Sequence, residues 1–290
     1  SLPISPAQTA ILFVSLSAIW GASFLFLRLS VPDLGSWLVA LLRVLLAFMA
    51  LGLVGLIWRL HRLRVHVPWQ RFAIIGLLNS AIPFALYSYA AQSMLAGYMA
   101  ILNALVPMWA GLLAVILLKE RLRLTLVFSV ALAMTGIVVL VGLSPVDLTT
   151  GFLLAALACV GATVCYAIAG ILTRRWLDGV SSFQSALYSL AFASAALLPF
   201  GMLQLPQAHF SLKASLAVCA VALLCSAFAY LLFFRLIRAV GPTKATTVTF
   251  MIPAFGVLWG SLFLGEPLTV NVMIGFLMVA LASLIAMRWA

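Results

Sequence analysis

A chain of 290 residues that is 66% hydrophobic and only 7% charged cannot present a water-soluble surface, because soluble domains run at about 45–50% apolar and about 25% charged residues. The net charge of +11, from sixteen Lys/Arg against five Asp/Glu, would point to nucleic acid or another acidic partner in a soluble protein. Here the charges stand at the ends of apolar segments, so they speak of membrane topology rather than nucleic acid.

A spanning helix needs about 20 apolar residues, and ten such segments follow one another. The first, 8–28, holds Trp20 and Ser23 and ends at Arg28; it is full length, with no basic leader or small-residue cleavage site, and is expected to be a retained helix. The second, 34–57, opens after Pro32-Asp33 and contains Arg43 well inside its apolar run. The third, 70–93, follows Pro68 and contains Asn79, Pro83 and Tyr87; the fourth, 96–118, contains Asn103 and Pro107. The fifth is 122–142 and closes at Ser144-Pro145. The sixth, 150–173, holds Thr163 and Tyr166, and the seventh is 181–202, after Asp178-Gly179. The eighth, 213–234, follows Pro206 and holds Ser226 and Tyr230. The ninth, 241–264, holds Thr246, Thr249 and Pro253, and the tenth is 268–287.

Basic residues alternate across these segments. Arg59, Arg62, Arg64, Arg71, Lys119, Arg121, Arg123, Arg174, Arg175, Arg235, Arg238, Lys244 and Arg288 fall on one side, and only Arg28 and Lys213 on the other. The bias predicts cytoplasmic N- and C-termini and an even number of spans.

The chain also repeats itself. Leu77-Leu78-Asn79-Ser80-Ala81 returns as Leu223-Leu224-Cys225-Ser226-Ala227, Val106-Pro107 as Ile252-Pro253, and Glu120 as Glu266, all at one spacing. Gly21-Ala22-Ser23 returns as Gly161-Ala162-Thr163. The halves are 1–145 and 146–290, with five helices each, and an odd number forces the second half to enter the membrane upside down. The basic loops agree, following the second and fourth helices of the first half but the first and third of the second. The fold class expected is therefore an all-α integral membrane protein of ten transmembrane helices in two inverted five-helix repeats. Inverted repeats are a recurring plan of secondary transporters, with the site near the midplane between the halves.

Trp20-Gly21-Ala22-Ser23-Phe24, the stretch Asn103 to Pro107, Glu120 with Gly136 in the helix after it, and the second-half Pro253 and Leu264-Gly265-Glu266 together resemble EamA-type members of the drug/metabolite transporter superfamily. The resemblance covers the whole chain, with two five-helix units. One departure is that Trp20-Gly21 becomes Val160-Gly161 in the second half, which removes a symmetric aromatic pair. The resemblance implies a carrier of small metabolites in a bacterial inner membrane, working by alternating access. It is similar to bacterial amino-acid exporters of the YddG type, and a protein that works as a monomer is expected.

Helical spacing gathers the candidate substrate residues on few faces. Ala96, Ala100, Asn103 and Pro107 share one face, with mates Pro242, Thr246, Thr249 and Pro253. Asn79, Pro83 and Tyr87 share another, with mates Cys225, Ala229 and Phe233; Ser226 and Tyr230 form a neighbouring pair. Trp20, Ser23, Thr163 and Tyr166 complete the set. A proline inside a span removes a donor and disturbs the i−4 carbonyl, so Pro83, Pro107 and Pro253 are expected to kink their helices. Hydroxyl and small residues can instead serve close helix packing. Arg43 is a functional candidate by its depth, although snorkelling or carbonyl bonding near the outer surface is the favoured expectation; Arg28 is expected to snorkel.

Proton relays in membranes use buried Asp, Glu or His. Asp33, Glu120, Asp147, Asp178 and Glu266 all fall in connections or at span ends, as do His61, His66 and His209. Facilitative transport without a carboxylate relay is the expectation. No nucleotide-binding loop of the Gly-x-x-x-x-Gly-Lys-Ser/Thr type occurs. Cys159, Cys165, Cys219 and Cys225 read as free, small apolar residues, and no metal site or cofactor is expected. The scarcity of buried charge suggests small neutral or zwitterionic solutes, amino acids included. A multidrug or cationic-metabolite exporter and a passive channel stay open; an enzyme would need a nucleophile–base pair, paired acids or a metal at membrane depth, and none is visible.

Overall fold

A computed structural model describes residues 6–58, 66–118, 124–142, 149–240 and 245–287. Among the described residues every regular element is helical. The α-helices are α1 (Pro6–Leu34), α2 (Ser36–Ile57), α3 (Trp69–Gly76), α4 (Ile82–Ala90), α5 (Ala96–Asn103), α6 (Val106–Leu118), α7 (Leu124–Gly142), α8 (Thr150–Trp176), α9 (Ser182–Gln204), α10 (Leu212–Cys219), α11 (Ala229–Val240), α12 (Ile252–Leu264) and α13 (Val270–Met287). Seven described helical rods are long and apolar enough to cross a membrane: Ala7–Leu34, Ser36–Ile57, Trp69–Ala90, Ala96–Ile116, Thr150–Trp176, Ser182–Gln207 and Leu212–Val240. Val127–Leu140, Val248–Leu264 and Val270–Ala282 are shorter apolar helices. Of the basic residues behind the expected orientation, Arg59, Arg62, Arg64, Lys119, Arg121, Arg123, Lys244 and Arg288 lie outside the described residues, as does Glu120.

The burial pattern suits a lipid solvent. Large apolar side chains such as Leu56, Leu157, Leu203 and Leu262 face outward, while Ala40, Ala47, Ala100, Ala162 and Ser17 are fully enclosed. In hydrocarbon there is no hydrophobic drive between helices, so close contact depends on small residues. A Cβ on Gly275 would lie 2.9 Å from the Gly136 carbonyl and 2.9 Å from Leu140 Cβ, so α7 and α13 touch through bare backbone. A Cβ on Gly21 would come within 2.7 Å of Phe255 Cβ and 2.9 Å of the Gly256 nitrogen, which sets α1 directly against α12.

Early and late parts of the chain interleave. α1 packs on α10, α11 and α12, while α8 packs on α4, α5 and α6; α2 lies along α9. Under the sequence repeat, the packing of α1 on α11 and α12 exchanges with that of α8 on α4 and α6. The first connection differs from expectation. α1 runs on through Pro32 to Leu34, and a single residue, Gly35 at φ +79°, reverses the chain into α2. Pro32 cannot donate to the Arg28 carbonyl, and the chain leaves the helix within three residues of it, where glycine supplies the left-handed φ at no steric cost. Gln204 Oε1 accepts the N–H groups of Trp37 (2.8 Å) and Leu38 (3.1 Å), so a side chain from the end of α9 caps α2.

Candidate functional site

Four helix interruptions converge on the middle of the fold. Leu77–Ala81 winds as π-helix between α3 and α4, and Ala220–Phe228 winds as π-helix between α10 and α11. These two segments hold the repeated Asn79-Ser80 and Cys225-Ser226. In the first, Pro83 cannot donate to the carbonyl of Asn79, which disturbs the α-helical register just upstream. In the second, where Ala229 replaces the proline, Ser226 Oγ donates to the Val221 carbonyl five residues back at 3.0 Å. The other two interruptions lie at Ala104-Leu105, between α5 and α6, and at Met251, where the 3₁₀ turn Thr246–Phe250 gives way to α12.

Two of the three prolines therefore act differently from the expected mid-helix kink. Pro107 and Pro253 each stand second in a new helix, α6 and α12 respectively, whereas Pro83 lies inside the continuous rod Trp69–Ala90, directly after its π-turn. An N–H at the second position has no helical partner to lose, so Pro107 and Pro253 start their helices rather than bending them. Those two helices are broken before the prolines, and the breaks expose polar residues to the interior.

A cavity of about 320 Å³ lies among these breaks. Nine of the fourteen residues singled out from sequence line it: Trp20, Ser23, Asn79, Tyr87, Asn103, Tyr166, Ser226, Tyr230 and Thr249. Pro83, Pro107, Thr163 and Pro253 do not. Thr163 is fully buried, and its hydroxyl donates to the Val160 carbonyl at 2.7 Å, so it serves its own helix. The backbone of Thr246 opens the 3₁₀ turn, but its side chain lies outside the described residues. Ser23 reaches the wall, yet its hydroxyl donates to the Trp20 carbonyl at 2.7 Å.

The wall is mainly aromatic. Phe24 meets Tyr87 edge-on with ring centroids 5.3 Å apart, Tyr87 stacks toward Tyr166 at 6.3 Å, and Trp20 packs on Phe233 at 5.2 Å. The Tyr87 hydroxyl donates to Asn103 Oδ1 at 3.0 Å, which joins α4 to the C-terminus of α5. Residues of the wall not singled out as substrate contacts are Phe24, Arg43, Phe84, Val106, Cys225, Phe233 and Ile252. Cys225 and Phe233 were signalled as repeat mates of Asn79 and Tyr87, and Phe24 by its place in the Trp-Gly stretch.

Arg43 departs most from expectation. It stands seven residues into α2, about 10 Å along the axis at 1.5 Å per residue, and is 7% exposed. It turns inward to the cavity instead of snorkelling, because α2 packs against α9, α4 and the second π-segment on that face. Its Nε donates to Ser226 Oγ at 3.1 Å, and its guanidinium carbon lies 3.8 Å from the centroid of the Phe84 ring, well within cation–π range. Arg28 does not snorkel either: its Nη1 donates at 3.0 Å to the Ala91 carbonyl at the end of α4, where a cation suits the helix dipole.

Outside the cavity, Glu266 ties the end of α12 to the start of α5. Gly265, at φ +66°, is the left-handed residue that closes α12, with Gly265 N–H bonded to Ser261 O and Glu266 N–H to Gly260 O. The turn aims the Glu266 carboxylate at the start of α5, where Oε1 accepts from Ala96 N (2.7 Å) and Oε2 from Gly97 N (3.0 Å). Sequence reading placed this residue only at a span end. Among the described residues no group of His, Cys, Asp or Glu is arranged to hold a metal ion.

Comparison with known proteins agrees in kind. The profile of the EamA-like transporter family matches residues 8–142 and again 153–288. The chain is 25% identical to "Uncharacterized transporter YvbV" of Bacillus subtilis over 94% of this chain and 89% of that protein. It is 26% identical to "Protein PecM" of Dickeya dadantii over 92% and 88%, and 20% identical to "Uncharacterized transporter YoaV" of Bacillus subtilis over 92% of each. A solved crystal structure superimposes with a TM-score of 0.67 at 18% identity, covering 97% of this chain and 98% of that one, a likeness of fold.

Proposed function

The chain belongs to the EamA-like transporter family, and we propose that it carries small metabolites across a bacterial inner membrane by alternating access. In this reading ten spans form two inverted halves, 1–145 and 146–290, both termini are cytoplasmic, and one copy suffices. The cavity is the substrate site, and the nine residues named above, with Arg43, contact the cargo. The substrates proposed are amino acids with aromatic or other neutral side chains, exported down their gradient.

One observation supports this above the rest: a single cavity is bounded by two pairs of repeat-related helix breaks. Broken helices at a repeat interface give both hydrogen-bonding groups for a ligand and hinges for motion. Asn103 and Thr249, repeat mates, stand beside the two breaks. A volume near 320 Å³ falls at the small end of ligand pockets, roughly 300–1,000 Å³, as a single metabolite requires. Among the described residues no Asp, Glu or His lines it, which supports facilitative transport, and the inward Arg43 weighs against cationic drugs as cargo.

Counter-flow in proteoliposomes tests the reading, with a panel of labelled amino acids and cationic drugs. Accumulation of aromatic amino acids against unlabelled internal amino acid is the expected result. Counter-flow of the drugs alone would overturn the substrate assignment. Uphill accumulation driven by an imposed pH gradient would overturn the facilitative part.

A further inference from the structure

Arg43 is the one cation in the cavity wall, and among the described residues no carboxylate pairs with it. A guanidinium has five N–H donors. One is used on Ser226, a second interaction is with the face of Phe84, and the other donors have no protein acceptor among the described residues. A charge held at membrane depth without a counter-ion is costly, and here the protein holds it against open volume rather than against another side chain.

Resting on the reading of this cavity as the substrate site, we propose that Arg43 is the anchor for a carboxylate, and that the substrates are monocarboxylates with an aromatic or apolar body, an α-amino group not being required. Charge sets the class. A guanidinium fork matches a carboxylate, and Arg–carboxylate pairs are commonly bidentate. A single carboxylate brings the cavity's formal charge to zero. A phosphate ester would carry a second negative charge into a wall that offers one cation. The body follows from the remaining wall, where Trp20, Phe24, Tyr87 and Tyr166 supply aromatic faces. Nothing in the described wall answers an ammonium group with a negative charge. The wall's acceptors are neutral, and one of them, Asn103 Oδ1, already takes the Tyr87 hydroxyl. An α-ammonium is tolerated beside the aromatic rings but adds no charge pairing.

Three probes that share one body and differ in charge test this on detergent-purified full-length protein: 3-phenylpropionate, phenylalanine and phenethylamine, with affinity read from ligand-induced thermal shifts. The expected order is phenylpropionate at least as tight as phenylalanine, and both far tighter than phenethylamine. Arg43→Gln is expected to weaken the two carboxylates on the order of ten- to a hundredfold, the value of a charge-assisted hydrogen bond, and to leave phenethylamine as weak as before or improve it. Arg43→Lys should recover part of the loss. If Arg43→Gln does not fold, the order of the three probes on the wild-type protein still decides. Phenethylamine binding as well as phenylpropionate, unchanged carboxylate binding in folded Arg43→Gln, or no binding of any probe overturns the proposal. Carboxylate binding that depends on Arg43, together with no counter-flow in vesicles, would uphold the anchor and overturn the carrier reading. Counter-flow of phenylalanine unaffected by Arg43→Gln would do the reverse.

Discussion

Replacing Glu266 with Gln is the most informative single change outside the cavity. The carboxylate is 9% exposed and accepts two backbone N–H groups, from Ala96 at 2.7 Å and Gly97 at 3.0 Å. Both donors belong to the first turn of α5 and have no partner within that helix. Hydrogen bonds to a charged group contribute about 1.5–3 kcal/mol each, and leaving a buried donor unpaired costs about 1–3 kcal/mol. Glutamine keeps one oxygen, loses the charge and turns an NH₂ toward the second N–H. The loss is therefore about 2–4 kcal/mol, to which the helix dipole adds about 0.3–1 kcal/mol. Thermal unfolding in detergent, followed by fluorescence-detected size exclusion, should show Glu266→Gln markedly less stable than wild type and Glu266→Ala no better. A Glu266→Gln protein that unfolds at the wild-type temperature would refute the claim that this carboxylate holds the start of α5 to the end of α12.

Other changes read out the packing and the wall. Gly275→Leu should separate α7 from α13 and lower the yield of monodisperse protein, since even a Cβ there meets the Gly136 carbonyl at 2.9 Å; wild-type yield would contradict the contact. In a double-mutant cycle on thermal stability, Tyr87→Phe and Asn103→Leu should couple by about 0.5–1.5 kcal/mol, the net worth of the bond between them; simple additivity would deny that bond. Gln204→Ala should cost about 1 kcal/mol by uncapping α2, measurable as a lower unfolding midpoint with flux retained.

Much of the cavity wall was legible because duplication writes it twice. The repeated Leu-Leu-x-Ser-Ala stretches mark the two π-segments, and the paired Pro107 and Pro253 mark the two helix breaks. What proline does there was not legible, since a mid-span proline and a proline opening a second helix look alike in sequence. The direction of Arg43 was hidden for a related reason. In a helix apolar all round, periodicity does not say which face turns to lipid, so only the packing of α2 reveals an inward charge. Thr163 and Ser23 show the converse: a hydroxyl in a span can spend itself on its own backbone, and spacing cannot tell this from a ligand contact. Glu266 needed the left-handed turn at Gly265 to be built before its target was visible.

The central claim is that this cavity moves cargo by exposing one site to each side in turn. Influx of labelled phenylalanine into proteoliposomes should be measured in the same preparation with empty vesicles and with vesicles preloaded with unlabelled phenylalanine. Alternating access predicts saturable uptake that is faster into preloaded vesicles, with no accompanying conductance. Uptake that rises linearly with concentration, is no faster on preloading, and comes with ohmic current would contradict it and mark a channel.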